Sequence, residues 1–358
     1  MVADAAREKS IAAFLAAHGW GAAERRPLAG DASFRRYERL ARNGERAVLM
    51  DAPPPHEDVR PFIKVDRLLR KAGLNAPEIF AADEAAGLLL LEDFGDDTYT
   101  RLIARGHDER ELYELAVDVL IRAHTVLDES ALAVLPAFED ERCIEEAMRL
   151  IEWYWPAAHG GPAPGDAIRA FVEAWRAVLP AARKIPDGLT IYDYHVDNLM
   201  LLPDAARRAG IARVGLLDFQ DATRAPVSFD LMSLLQDVRR DMPAALATDC
   251  YERYLGAFPT LGRDDFAASY AILGAQRNVR ILGTFVRLWT RDGKPGYLSW
   301  LPRTWRFVEA DLAHPASAPL KAWFDAHLPP DLRGIPQRLG PVADEAARKG
   351  MTGKVAAG

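Results

Sequence analysis

Two short apolar runs, Leu199-Met-Leu-Leu202 and Val214-Gly-Leu-Leu217, flank a polar stretch at residues 203–210. Apolar runs of this length on either side of a turn-forming stretch predict the two strands of a hairpin. Chemistry-bearing residues stand at its open end: Tyr192-Asp-Tyr-His-Val-Asp-Asn198 leads into the first strand and Asp218-Phe-Gln-Asp221 leaves the second. The residue entering a hairpin and the residue leaving it become neighbours, so Asn198 and Asp218 are expected side by side. The sequence around this ribbon has helical periodicity instead, at 113–127, 141–153 and 167–179 before it and at 229–239 and 264–290 after it. A strand pair of this kind inside a helical region restricts the fold more than any other feature of the chain.

The first ninety-odd residues read differently. Residues 1–20 mix Asp4, Arg7, Glu8 and Lys9 with apolar residues at helical spacing. That pattern predicts a short amphipathic helix and is unlike the basic and then apolar regions of a secretion signal. A small-residue turn at 29–33 leads into a strand-like stretch that runs to Leu40, and Asn43-Gly44 offers a hairpin turn before Ala47-Val-Leu-Met50. Pro53-Pro54-Pro55 ends that strand. Helical spacing of Phe62, Val65, Leu68 and Leu69 then predicts one helix over 59–72, with further strands at 78–80 and 88–91. The expectation is an α+β fold in two lobes. Residues 1–94 form a nucleotide-binding lobe of antiparallel sheet plus helix, 95–337 a mainly helical lobe carrying the catalytic hairpin, and 338–358 a weakly ordered tail.

Composition enters as a set of exclusions. A chain of 358 residues with 49% hydrophobic and 27% charged residues has material for a large core and is far from disordered composition. Its 45 basic and 52 acidic residues give a net charge of −7, which argues against nucleic acid as the main partner. Cys143 and Cys250 are the only cysteines and form no CxxC pair, so neither a disulfide framework nor a thiolate zinc site is indicated. No apolar run approaches the ~18 residues that cross a bilayer. A cytoplasmic monomer with no membrane partner is expected. Phosphate-loop, HExxH, GxGxxG and GxSxG signatures do not occur, which leaves nucleophilic and zinc mechanisms without a motif.

The residues around the hairpin outline phosphoryl transfer. That reaction needs one carboxylate to orient the attacking hydroxyl and take its proton, and oxygen ligands to hold Mg²⁺ on nucleotide phosphates. Mg²⁺ accepts hard oxygen donors and few protein ligands, so the Asn198 amide and a carboxylate such as Asp218 would suffice. A lone Asp-x₄-Asn would mean little, since both residues also favour turns. Here the hairpin, the second Asp and its downstream partner agree.

Asp193-x-His195-x-x-Asn198 followed by Leu217-Asp218-Phe219 resembles the catalytic and metal-binding loops of aminoglycoside phosphotransferases and related small-molecule kinases, which have a protein-kinase-like fold. The resemblance implies ATP and Mg²⁺ as cofactors, Asp193 as catalytic base, Asn198 and Asp218 as metal ligands, and Asp230 as a buried acid bracing the site. His195 matches a position common in that branch, where bracing of the loop is the plainer reading of its role. Residues 30–37, 49–54, 193–199, 217–222, 230–237 and 276–280, with Arg291-Asp-Gly-Lys294, more narrowly resemble the bacterial kinases that phosphorylate the anomeric hydroxyl of N-acetylmuramate and N-acetylglucosamine in peptidoglycan recycling. That similarity spans about residues 10 to 310 and implies an amino-sugar substrate and a sugar 1-phosphate product.

The same resemblance implies a hinge at Leu88-Leu-Leu-Leu-Glu-Asp-Phe94, with the Glu92 carbonyl and Phe94 amide on adenine. It also implies a loop over the phosphates at residues 30–34, including Ser33 and Phe34. For the sugar it points to Trp153, Tyr154, Arg277 and Arg280 beside Asp193 and His195. Packing is the plainer reading of the aromatic cluster, and interhelical ion pairs are an equal reading of the arginines. Glu57 and Asp58 are read as electrostatic support for the start of the following helix. The chain departs from the pattern at Met50, where most such kinases carry a strand lysine that pairs with phosphate. Arg36 is the favoured replacement, with Arg35 and Lys64 as alternatives. Ile191 replaces a loop-bracing His, and the catalytic and metal Asp residues stand further apart than usual. Rival readings are a kinase of an aminoglycoside or amino alcohol, with Asp197, Asp221 and Asp237 as acidic lining, and a non-catalytic pseudokinase motivated by Met50.

Overall fold

A computed structural model describes residues 2–28, 34–203 and 210–338. In chain order its elements are α1 (Val2–Ala17), β1 (Glu24–Pro27), β2 (Arg36–Arg42), β3 (Glu45–Asp51), α2 (Arg60–Lys71), β4 (Ile79–Asp83), β5 (Leu88–Glu92), α3 (Tyr99–Ala104), α4 (Glu109–Val126), α5 (Glu129–Leu132) and α6 (Asp140–Ala147). A π-turn (Leu150–Tyr154) leads to α7 (Trp155–His159), α8 (Gly165–Ala182), β6 (Asp187–Thr190), β7 (Leu199–Leu201), β8 (Val214–Leu216), β9 (Thr223–Pro226) and α9 (Phe229–Leu235). Then come α10 (Ala244–Ala257), α11 (Arg263–Thr290), α12 (Leu301–Leu312) and α13 (Ala318–His327). This is the expected α+β pattern, an antiparallel sheet followed by a mainly helical region. The expected tail, residue 338 excepted, and most of the loop at 203–210 lie outside the described residues.

Contacts group the chain into two compact units. The first holds the residues up to Pro136 together with Gly188–Arg224 and Ala244–Ala257; the second holds Ala137–Asp187, Ala225–Pro243 and the chain from Phe258 onward.

In the first unit five strands form one sheet in the order β1-β2-β3-β5-β4, and each neighbouring pair is antiparallel. The β2–β3 hairpin turns at Asn43 and Gly44, whose φ values of 48° and 82° are the left-handed pair a tight hairpin needs. Alternation along the strands sends Leu40, Ala47, Leu49, Leu88 and Leu90 to one face, where they pack on Ile11, Phe14 and Leu15 of α1 and on Trp20. Burying each of the larger side chains in that set stabilises the fold by about 1.5–3 kcal/mol. Because β5 is buried on both faces, Leu88 through Leu91 read as an unbroken apolar run rather than an alternating one. The sequence reading did not anticipate β1. Its Glu24-Arg-Arg-Pro27 carries no apolar signal because it is an edge strand, paired on one side only to β2, where charge and proline are tolerated.

Helix α2 has a proline in its first turn and buries Phe62, Ile63, Val65, Leu68 and Leu69 together with Asp66. In the second unit α11 is the central helix, packed by α6, α8, α9, α12 and the π-turn. Gly283 permits the closest of these approaches: a Cβ there would lie 2.1 Å from the Arg149 carbonyl oxygen. Cys143 and Cys250 are buried and unbridged, and burial pushes their thiols up to about 12 and about 11. No helix among the described residues is long and apolar enough to cross a membrane.

Candidate active site

The ribbon forms as its sequence predicts. Strands β7 and β8 are antiparallel with Leu199 opposite Leu216 and Leu201 opposite Val214. One residue further out, the Leu217 amide donates to the Asn198 carbonyl at 3.0 Å. The next residue on the returning strand is Asp218, so chain connectivity delivers Asn198 and Asp218 together: Asn198 Nδ2 lies 3.5 Å from Asp218 Oδ2.

Asn198 also ties the preceding loop. Its Nδ2 donates to the Asp193 carbonyl at 2.9 Å and lies 3.3 Å from His195 Nε2, while its backbone amide donates to the His195 carbonyl at 2.9 Å. With the amide nitrogen turned to the loop, Oδ1 is the atom Asn198 has for a cation. His195 is buried and braces the loop through this contact. Asp193, Asn198 and Asp218 remain half-buried. Buried Tyr194 anchors the loop to α4, its hydroxyl donating to the Ala116 carbonyl at 2.8 Å.

Backbone strain marks the same place. Among the described residues three non-glycines have clearly positive φ: Asn43 in the hairpin turn, Tyr192 at 82° and Asp218 at 57°. Asp tolerates that region, whereas for an aromatic residue it is costly, and such strain persists where surrounding packing over-determines the backbone. Tyr192 immediately precedes Asp193 and is buried.

Beneath the ribbon, Phe94 packs with Met200, Leu202 and Leu217. A Cβ on Gly215 would fall 2.7 Å from the Phe94 ring, so glycine is required there. The Glu92 side chain accepts from the Glu78 amide at 3.2 Å. Phe34 is largely exposed, its ring stacked on His56 with centroids 4.9 Å apart. Ser33 lies outside the described residues.

Around Asp218 stand three residues to which sequence reasoning gave no firm role. Gln220 Nε2 donates to Asp218 Oδ1 at 3.1 Å and to Asp221 at 3.0 Å. Arg35 reaches Asp218 Oδ1 at 3.8 Å and Glu57 Oε2 at 3.7 Å. Glu57 in addition accepts from the Phe34 amide at 3.1 Å. Supporting the start of α2 falls to Asp58, whose carboxylate accepts from the Arg60 amide at 2.9 Å and pairs with its guanidinium. No local signal separated Glu57 from Asp58, because the partners of Glu57, Phe34 and Arg35, lie far from it in the chain. Arg36 turns elsewhere, 3.3 Å from Asp51, which is also held by Arg7 at 2.8 Å. Lys64 lines a different, basic hollow with Arg60, Arg67 and Lys71. Met50 is fully buried in the sheet.

Trp153, Tyr154, Asp230, Arg277 and Arg280 belong to the second unit. Tyr154 is buried, donating to the Leu332 carbonyl at 2.8 Å and accepting from Trp305 Nε1 at 2.9 Å. Trp153 is half-buried on the π-turn, and Arg280 on α11 stands 3.9 Å from Glu146 on α6. Arg277 and Asp230 are each 1% exposed.

No cluster of three or more His, Cys, Asp or Glu suited to a metal occurs among the described residues. An amide oxygen and one carboxylate, both hard donors at the mouth of a ribbon, are nevertheless the small set that suits Mg²⁺, which keeps water and phosphate oxygens as its other ligands. The donor set therefore fits a nucleotide-bound Mg²⁺.

A carboxylate-bearing loop, an Asp and an amide gathered by a ribbon in an α+β fold define a phosphotransferase of the protein-kinase-like class. The sequence profile of the phosphotransferase enzyme family matches residues 24–266. The N-acetylmuramate/N-acetylglucosamine kinase of Caulobacter vibrioides is 38% identical over 93% of this chain and 100% of that protein. The enzyme of the same name from Pseudomonas aeruginosa is 35% identical over 83% of this chain and 87% of its own length. The chain belongs to the phosphotransferase enzyme family, among the relatives of these two kinases. Its fold matches the crystal structure of a choline/ethanolamine kinase family protein from Mesorhizobium loti, with a TM-score of 0.60 at 17% identity, covering 90% of this chain and 99% of that one.

Proposed function

We propose that this protein is an ATP-dependent kinase that phosphorylates the anomeric hydroxyl of N-acetylmuramate, N-acetylglucosamine or both, giving a sugar 1-phosphate for cell-wall recycling. The observation that carries this reading is the Asp193–Asn198–Asp218 arrangement in a chain 38% identical, along almost its whole length, to a kinase named for those two sugars.

In the reaction the sugar hydroxyl oxygen forms a bond to the γ-phosphorus, the bond from that phosphorus to the β,γ-bridging oxygen breaks, and ADP leaves with the electron pair. Asp193 orients the hydroxyl and receives its proton. Asn198 Oδ1 and the Asp218 carboxylate would hold Mg²⁺, which when bound supplies charge neutralisation on the phosphates. Gln220 fixes the Asp218 carboxylate in its rotamer, and His195 keeps the loop in register for Asn198.

Residues 1–94 would supply the nucleotide side, with the Glu92 carbonyl and Phe94 amide on adenine and Ser33 and Phe34 over the phosphates. Trp153 and Arg280 would serve the sugar, an arginine suiting the lactyl carboxylate of N-acetylmuramate, whereas Tyr154 and Arg277, expected beside them, are sealed within the second unit and would act through packing. Asp230 would brace the site, and the enzyme would act as a cytoplasmic monomer. The test is to incubate the protein with ATP and Mg²⁺ and, in turn, N-acetylmuramate, N-acetylglucosamine, choline, homoserine and kanamycin. Phosphorylated product is expected from the first two alone. Product from choline, homoserine or kanamycin in their place would overturn the substrate assignment.

A further inference from the structure

We infer that Arg35 is the phosphate-binding cation of this site and that Glu57 positions it, so that the ion pair other kinases build from a strand lysine and a helix glutamate has moved to new positions in this chain. The inference rests on the reading of the site as a nucleotide site and adds to it the residue that contacts phosphate.

The strand position where such a lysine would stand is Met50, 1% exposed and sealed in the sheet opposite Tyr37 and Leu89. A cation is still required, since the strand lysine of kinases pairs with the α- and β-phosphates, which carry their charge in ADP as in ATP. Three basic residues were open to the role, and the structure separates them. Lys64 lies in a hollow shared with other basic side chains and Glu84. Arg36, the sequence favourite, opens β2 opposite Asp51, and its side chain is 59% exposed beside that carboxylate. Arg35 is 14% exposed and bridges two carboxylates, Glu57 at 3.7 Å and the metal ligand Asp218 at 3.8 Å. Successive residues of an extended chain project to opposite sides, so a difference of one position decides which arginine faces the site.

Two further contacts fix this placement. Glu57 accepts from the Phe34 amide at 3.1 Å, which ties the segment carrying Arg35 to the segment entering α2. Phe62 in the first turn of α2 packs on Phe219, the residue after Asp218, with ring centroids 4.6 Å apart. The start of α2 is thus joined to the metal loop through one aromatic contact and to Arg35 through one carboxylate. In kinases the lysine on the third strand is held by a glutamate of the helix that follows it. Here Glu57 stands three residues ahead of α2 rather than on it, and pairs with a guanidinium instead. A planar fork also suits phosphate better than an ammonium does, because it can make two parallel bonds.

Equilibrium binding of ADP and of adenosine, each with Mg²⁺ and with EDTA, tests this in the full chain. Adenosine keeps the base contacts and lacks the phosphates, so it reports folding and the adenine pocket alone. Wild type is expected to prefer ADP. Arg35→Ala is expected to weaken ADP about 10- to 100-fold, the cost of losing a charge-assisted bond to phosphate, with adenosine affinity held within about twofold. Arg35→Lys should recover part of the loss, and Glu57→Gln should weaken ADP by about 3- to 10-fold through the loosened guanidinium.

Equal loss of ADP and adenosine in Arg35→Ala would make Arg35 a structural residue and overturn the inference. So would an unchanged ADP affinity, or a larger loss in Arg36→Ala than in Arg35→Ala. If this binding pattern holds while wild type phosphorylates neither amino sugar, the inference stands and the substrate reading falls. If wild type shows no preference for ADP over adenosine, both fall.

Discussion

The protein holds two clusters made from the same residue types, arranged in opposite ways. In the first unit Asp193, Asn198, Asp218 and Gln220 sit on loops, half-buried, with left-handed backbone at Tyr192 and Asp218. In the second unit Gln236, Asn278 and Asp311 are 6% exposed or less and stand on or directly beside helices. Gln236 donates to Asp311 at 2.8 Å and accepts from Asn278 at 2.6 Å. Burial pushes the Asp311 carboxyl well above the usual carboxylate range, with the amides of Gln236 and Asn278 opposing it. Gly274 completes the packing, since a Cβ there would lie 2.6 Å from the Asp311 carboxylate. The sealed cluster turns its amide N–H groups and the Asp311 carboxylate on one another, away from solvent, and so serves architecture. The half-open one leaves Asp193, Asn198 and Asp218 partly accessible and carries left-handed backbone, costly at Tyr192.

The comparison breaks most visibly at Asp193. Asp193→Ala is expected to lower turnover by about 10³-fold or more while nucleotide affinity changes less than about threefold, read by ADP release and by equilibrium binding. Wild-type-like turnover would remove Asp193 from the role of base. The sealed cluster should answer the other way. Asp311→Ala leaves the Gln236 amide without its acceptor and opens a void, so it is expected to lower Tm by about 5–10 °C with kcat of the folded enzyme within about twofold. A large loss of kcat at unchanged Tm would erase the distinction between the clusters.

Asp66 gives the smallest and most specific effect. It is buried on the apolar face of α2, and burial lifts its carboxyl from 3.8 to about 6, with Arg70 and Arg67 opposing and Glu78 adding to the rise. Below pH 3.8 the group is protonated whether the chain is folded or not, and it adds no penalty. As pH rises toward 6 the unfolded chain releases the proton more readily, and the folded state loses stability until the penalty is constant above that value. Asp66→Asn is therefore expected to raise Tm by about 2–4 °C at pH 7.5 and to leave it unchanged near pH 4, measured by thermal melts across that range. A gain of the same size at both pH values would point to packing rather than charge.

Much of this was legible in the sequence, and for local reasons. Asn43-Gly44 dictates its own turn, the apolar spacing of α2 dictates its buried face, and the ribbon dictates that Asn198 and Asp218 meet. Strand β1 was not legible because an edge strand contributes backbone bonds and no apolar pattern. Glu57 was not legible because its partners, Phe34 and Arg35, are brought to it only by the packing of the sheet on α2.

Connectivity and periodicity are properties of the chain itself, so the sequence alone determined the α+β order of elements and the meeting of Asn198 and Asp218 at the hairpin ends. The tertiary structure decided which of two adjacent arginines faces Asp218, which of two adjacent acids holds it, and which polar residues are sealed. Those choices depend on strand register and on packing between distant segments, where a shift of one residue reverses the direction of a side chain and leaves the pattern of residue types unchanged.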